Sequence, residues 1–172
     1  MKMGSSVGKE PWDSSSEKAK ILKIEDFGTL ESVQEQARTV RTASNRYEAT
    51  QMLKEIIKRG PYTSKSGLMA RIPGKSIGKL VSSEAVNASF CQEAHYLAVV
   101  NIDKLFPNAI EPWRFGLNPS KNNDGLKNRH YLYALLTFYE RIVVVKFTVK
   151  EYINTDLANK MYSIEVIDTG LA

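Results

Sequence analysis

The sequence holds a single cysteine, Cys91. No internal disulfide can form, and a lone thiol suits a reducing compartment. With one Cys and two His there is no ligand-spaced cluster, so no metal is expected. No apolar run approaches the ~20 residues of a membrane helix, and residues 1–18 lack the apolar core of a signal peptide. A cytoplasmic setting without a membrane partner is the expectation. A phosphate loop is missing too. Gly74–Lys79 reads GKSIGK, but three residues separate its glycines where four are needed, and Leu80 stands where Ser or Thr should. Neither a nucleotide nor any other cofactor is expected.

What is present is an ordinary globular composition, 42% hydrophobic and 25% charged, in 172 residues. That length suits one domain with a real core. The net charge is +5. Lys58, Arg59, Lys65, Arg71, Lys75 and Lys79 lie in one block with no acid among them, and that block outweighs the whole excess. Clustered cations of this kind suit a phosphate backbone or another anionic partner.

Residues 1–18, rich in Ser and Gly, read as a flexible tail, and residues 19–172 as one domain. Ala19–Phe27 is predicted as a first strand. Thr29–Thr42 is predicted as a helix with acid at its start and base at its end. A second helix follows behind Asn45 and Glu48, with Ala49, Met52, Leu53, Ile56 and Ile57 on one face, and Gly60-Pro61 ends it. Gly67–Ile72 and Ser76–Val81 read as short strands about a Pro73-Gly74 turn. Ser89 and Gln92 open a helix running to about Phe106, with His95 packed beside its apolar stripe. Asn108–Asn128 is a long polar loop, in which Trp113 and Phe115, flanking Arg114, either anchor it, the favoured role, or stack on a base.

The C-terminal third is where the chemistry collects. Tyr131–Tyr139 and Ile142–Lys150 are rich in β-branched and aromatic residues and form a tight hairpin about Glu140-Arg141. Val143, Val145, Phe147 and Val149 share one face, Lys146, Thr148 and Lys150 the other. Met161–Asp168 is a last strand, whose alternation puts Tyr162, Ile164 and Val166 on the buried face and Ser163 and Glu165 on the other. Helices first and a meander last predict an α+β domain, with the helices on one face of a small antiparallel sheet. The other face is expected to be open, displaying Lys146, Thr148, Lys150, Ser163 and Glu165.

Those residue types can be assembled into a metal-free ribonuclease site. A base takes the 2′-OH proton, an acid protonates the leaving oxygen, and a cation stabilises the phosphorane. His130 has the intrinsic pKa for acid or base, Lys146 the charge, and Thr148 and Ser163 the hydrogen bonds. The same alternation is also what a solvated sheet face shows, so a non-catalytic protein-interaction module stands beside the catalytic reading.

Three stretches resemble a known group: IGKLVSS at Ile77–Ser83, AHYLAVVNIDKLFPNA at Ala94–Ala109, and NRHYLYALL, VVVKFTVKEY and KMYSIEVID in the C-terminal third. They look like the domains attached to large polyvalent proteins of phages and mobile elements, related to the barnase–EndoU–colicin–RelE nucleases. The resemblance implies helices leading into an antiparallel sheet, with RNA, tRNA among the candidates, bound on its open face. It would make the chain a toxin-like hydrolase, a metal-independent endoribonuclease, with a cognate immunity or partner protein. The matching positions would be Lys79, His130, Lys146, Thr148 and Ser163, with Tyr162 a competitor for the last place. Lys58, Arg59, Lys65, Arg71, Lys75, Arg129 and Lys150 would hold the nucleic acid.

Overall fold

The computed structural model describes residues 9–119, 125–154 and 159–171. The predicted tail lies outside them only at residues 1–8. Residues 12–18 are helical turns, Trp12–Ser14 followed by α1 (Ser15–Lys18), and Ser15 is buried. The boundary drawn at Ala19 therefore falls inside a continuous run of turns. No strand forms over Ala19–Phe27 either. Two further 3-10 turns take its place, Ala19–Ile21 and Ile24–Asp26. Ala19, Leu22 and Phe27 are the residues it buries, and steps of three and five are not the alternation a strand needs.

Helix α2 (Leu30–Ala37) starts where the Thr29 hydroxyl accepts the Ser32 N–H and is shorter than predicted. α3 (Arg46–Arg59) matches expectation: the Asn45 side chain accepts the Glu48 N–H, and Glu48 reaches back to the Ser44 N–H. A two-stranded ladder follows, β1 (Tyr62–Thr63) with β2 (Met69–Ala70). Ser76–Val81 is not a strand. Gly74–Ser76 and α4 (Ile77–Leu80) are helical, because Ile77, Leu80 and Val81 keep the i, i+3, i+4 spacing of one helix face. α5 (Ser83–Ala88) comes next.

The long helix predicted from Ser89 is two helices, α6 (Gln92–Val99) and α7 (Ile102–Leu105). Asn101, fully buried, interrupts it. Its amide donates to the carbonyls of Leu97 and Arg41, and its oxygen accepts from Val40 and Arg41 N–H. Arg41 then forks onto Asp103 at 2.7 and 2.8 Å. The 38–44 connection is thereby fastened to α7.

The sheet is a meander, β3 (Leu126–Phe138), β4 (Arg141–Tyr152) and β5 (Lys160–Leu171), with β4 in the centre. Phe138 pairs with Arg141, so the turn residues are Tyr139 and Glu140, one position earlier than predicted. The fold class is α+β, as expected. Leu132, Ala134, Leu136, Val143, Val145, Phe147 and Val149 face the core made with α3–α7.

The reverse face is not open. Tyr131, Tyr133, Leu135, Val144 and Ile167 form a second core with Ala19, Leu22, Phe27, Val33, Ala37 and Phe115. The chain N-terminal to α3 is thus a third layer, laid across the face expected to be bare. Gly28 makes its bend at φ +139°, a backbone geometry that L side chains rarely adopt.

Candidate nucleic-acid interface

Three of the predicted catalytic residues lie under that third layer or beside it. Lys146 is only 8% exposed. Its ammonium donates to the hydroxyls of Ser15 at 2.8 Å and Ser16 at 2.9 Å and lies 3.3 Å from Glu165. Burial pushes its pKa down, while Glu165 opposes that shift. Thr148 is buried at 3% exposure, and Ser163 faces it across the β4–β5 ladder. Lys146 therefore ties the N-terminal segment to the sheet.

His130 is not with them. It pairs with Val149, whereas Lys146 pairs with Tyr133, three register positions away. An odd offset puts the two side chains on opposite faces of the sheet. The expected His–Lys juxtaposition is not formed. His130 is instead clamped between two carboxylates, Nδ1 to Glu111 at 2.6 Å and Nε2 to Glu151 at 2.7 Å. Burial works against the charged ring, but both carboxylates favour it, and the net shift is upward. With both nitrogens donating, the ring has no lone pair to offer as a base. Glu111 sits in an irregular loop and carried no signal in the sequence.

A different set does converge. At the end of the sheet beyond the third layer, a β-bulge changes the parity of β5: Thr148 pairs with Ser163 but Val149 with Met161, leaving Tyr162 as the extra residue. The alternation that assigned Tyr162 to the buried face fails at that point. Its ring lies 4.2 Å from the Lys150 ammonium, 5.9 Å from the Arg129 guanidinium and 6.0 Å from the Lys79 ammonium. Arg129 lies beside the phenols of Tyr131 and Tyr162, and its Nε is buried without a partner. Burial, opposed by Arg129, pushes the Tyr162 phenol up to about 12, so it stays neutral.

The basic block is split. Arg71 runs beside β5, its N–H donating to Asn159 and its carbonyl accepting from Met161, which brings it next to Lys160 and this cluster. Lys75 is exposed on the following turn. Lys58 and Arg59 end α3 elsewhere, Lys58 paired with Glu55, and Lys65 reaches the Phe27 carbonyl at 3.4 Å. Trp113 and Phe115 pack edge-on against Tyr133 and Tyr131, so they anchor their loop. Among the described residues, no group of three His, Cys, Asp or Glu is placed to hold a metal ion, and no helix is long and apolar enough to cross a membrane.

The family model for large polyvalent protein-associated domain 3 matches residues 16–162. The chain belongs to that family. The match runs from within α1 through the later helices and the sheet to Tyr162, so most of the third layer and the Tyr162 cluster lie within the shared domain. Neither the curated proteins nor the solved structures contain a match to this chain.

Proposed function

We propose that this large polyvalent protein-associated domain is an RNA-binding module that holds its ligand without cleaving it. The observation that carries the reading is the cationic set of Lys79, Arg129 and Lys150 around the half-buried Tyr162 ring, at the β5 bulge. Cations track the phosphates of a single strand and an aromatic ring receives a base, with little dependence on sequence. Arg71 and Lys160 extend the charge along the β5 edge.

The sequence resemblance to the barnase–EndoU–colicin–RelE nucleases, and the phage or mobile-element setting that it implies, favour RNA as the polymer. Cleavage is the weaker part of what that resemblance implies. His130 is held by two carboxylates on one face, and Lys146 is buried on the other.

Fluorescence anisotropy with a labelled single-stranded RNA, followed through a salt series, tests the reading. Affinity should fall steeply with salt, and the double variant Lys79→Ala/Lys150→Ala should lower the log–log slope by about 1.4, about 0.7 for each single-strand phosphate contact. No binding at low salt would overturn the reading. Incubation with total RNA in EDTA should leave the RNA intact; cleavage that survives the chelator would reinstate the endoribonuclease.

A further inference from the structure

A cleft of about 810 Å³ shares no lining residue with the Tyr162 cluster. Thr39, Thr42 and Ser44 form one wall, Glu93 and Tyr96 of α6 a second, and Tyr139 of the hairpin turn a third. Among the described residues lining it there is no Lys or Arg, in a chain whose net charge is +5. The one charged group is the Glu93 carboxylate. Around it stand hydroxyl oxygens able to accept hydrogen bonds.

The cleft is built, not incidental. Its first wall is the connection that the buried Asn101 and the Arg41–Asp103 fork hold in place. Its third wall depends on Tyr139, which adopts φ +56°, a left-handed conformation uncommon for a bulky side chain. Asn or Gly would suit that turn better. Tyr139 nevertheless stands there, 71% exposed, with its hydroxyl donating to Glu93 and its ring edge-on to Phe138 at 4.8 Å. A strained residue held upright at the rim of a pocket is the kind of feature that function retains.

We propose that this cleft receives an arginine side chain presented by a partner polypeptide. A guanidinium carries a positive charge that Glu93 neutralises. Its five N–H donors match the hydroxyl and carboxylate acceptors, and its flat face stacks on the exposed Tyr139 ring. An anion finds no cation here. The domain then has two surfaces of opposite preference, one for phosphates and one for a basic side chain.

The test is an amide-resolved NMR titration of the full chain with acetyl-Gly-Arg-Gly-amide. The neutral isostere with citrulline in place of arginine, and maltose as a neutral polyol, are titrated alongside. Saturable shifts at Glu93, Tyr96 and Tyr139, with the citrulline peptide at least about fivefold weaker, support the proposal. Glu93→Gln, at an exposed position, should remove the preference for arginine over citrulline. Tyr139→Asn relaxes the turn, so it should keep the melting temperature while weakening the arginine peptide. Equal binding of the two peptides, tighter binding of maltose, shifts confined to other surfaces, or an unchanged arginine affinity in Tyr139→Asn would each overturn it.

Discussion

The hydroxyl of Ser89 donates to Nδ1 of His95 at 2.8 Å. The direction follows from the other ring nitrogen: Nε2 lies 2.7 Å from the Leu80 carbonyl, which can only accept, so Nδ1 carries the lone pair. The same hydroxyl accepts the Val166 N–H at 2.9 Å, joining the helical layer to β5. Ser89→Ala leaves both partners buried and unsatisfied. It should cost about 1–3 kcal/mol, read from urea denaturation.

His95 itself makes stability sensitive to acid. Burial holds its pKa below the ordinary 6.5, with the Leu80 hydrogen bond only partly offsetting the effect. The neutral ring's contribution is complete above the unfolded pKa and is lost as pH falls through the folded one. The urea midpoint should therefore drop as pH falls below the ordinary 6.5. The drop should be smaller in His95→Gln.

His130 has the opposite sign. Its pKa is raised, because the Glu111 and Glu151 hydrogen bonds outweigh burial, and Glu151 is in turn held low by His130. The imidazolium's contribution is complete below the ordinary 6.5 and disappears as pH rises through the higher folded value. The carboxylate's contribution is complete above its ordinary 4.5 and is lost as pH falls. Ring-carbon NMR should show the imidazolium persisting past the ordinary histidine range. Glu111→Gln should bring that titration down, and an unmoved midpoint would contradict the clamp.

These two histidines also mark what the sequence could and could not carry. His95 was placed correctly beside an apolar stripe because helical periodicity is local. The partners of His130 come from a loop 19 residues upstream and a strand end 21 residues downstream, and no spacing rule links them. The hairpin was legible because β-branched runs and a two-residue turn are short-range signals. Its covered reverse face was not. Ser- and Gly-rich composition between residues 1 and 18 says nothing of what Ser15 and Ser16 meet once Lys146 needs oxygen partners. Tyr162 was misassigned because alternation assumes a regular ladder, and a bulge breaks the count at one residue.

Lys146 should behave as a structural residue. Lys146→Ala removes the donor that joins Ser15, Ser16 and Glu165 and leaves the carboxylate short of its counter-charge. A loss of about 3 kcal/mol follows from breaking a buried pair at one partner. Limited proteolysis should then nick the chain within residues 12–27. Lys146→Met paired with Glu165→Leu fills the same volume without charge and should recover much of that loss. Wild-type stability in Lys146→Ala would mean that the N-terminal layer holds without it.

The RNA reading separates charge from stacking at the Tyr162 cluster, and the two leave different signatures. Lys150→Ala removes one phosphate contact, so the salt slope should fall by about 0.7 while the loss narrows at high salt. Tyr162→Ala removes a ring but no charge. It should weaken binding by about 1–3 kcal/mol at every salt concentration, with the slope unchanged. Because the phenol is neutral across the working range, Tyr162→Phe should bind nearly as wild type. Melting temperatures guard against misfolding, since Tyr162 is half-buried beside Arg129. If Tyr162→Ala changed the slope and Lys150→Ala did not, the assignment of ring to base and ammonium to phosphate would be wrong.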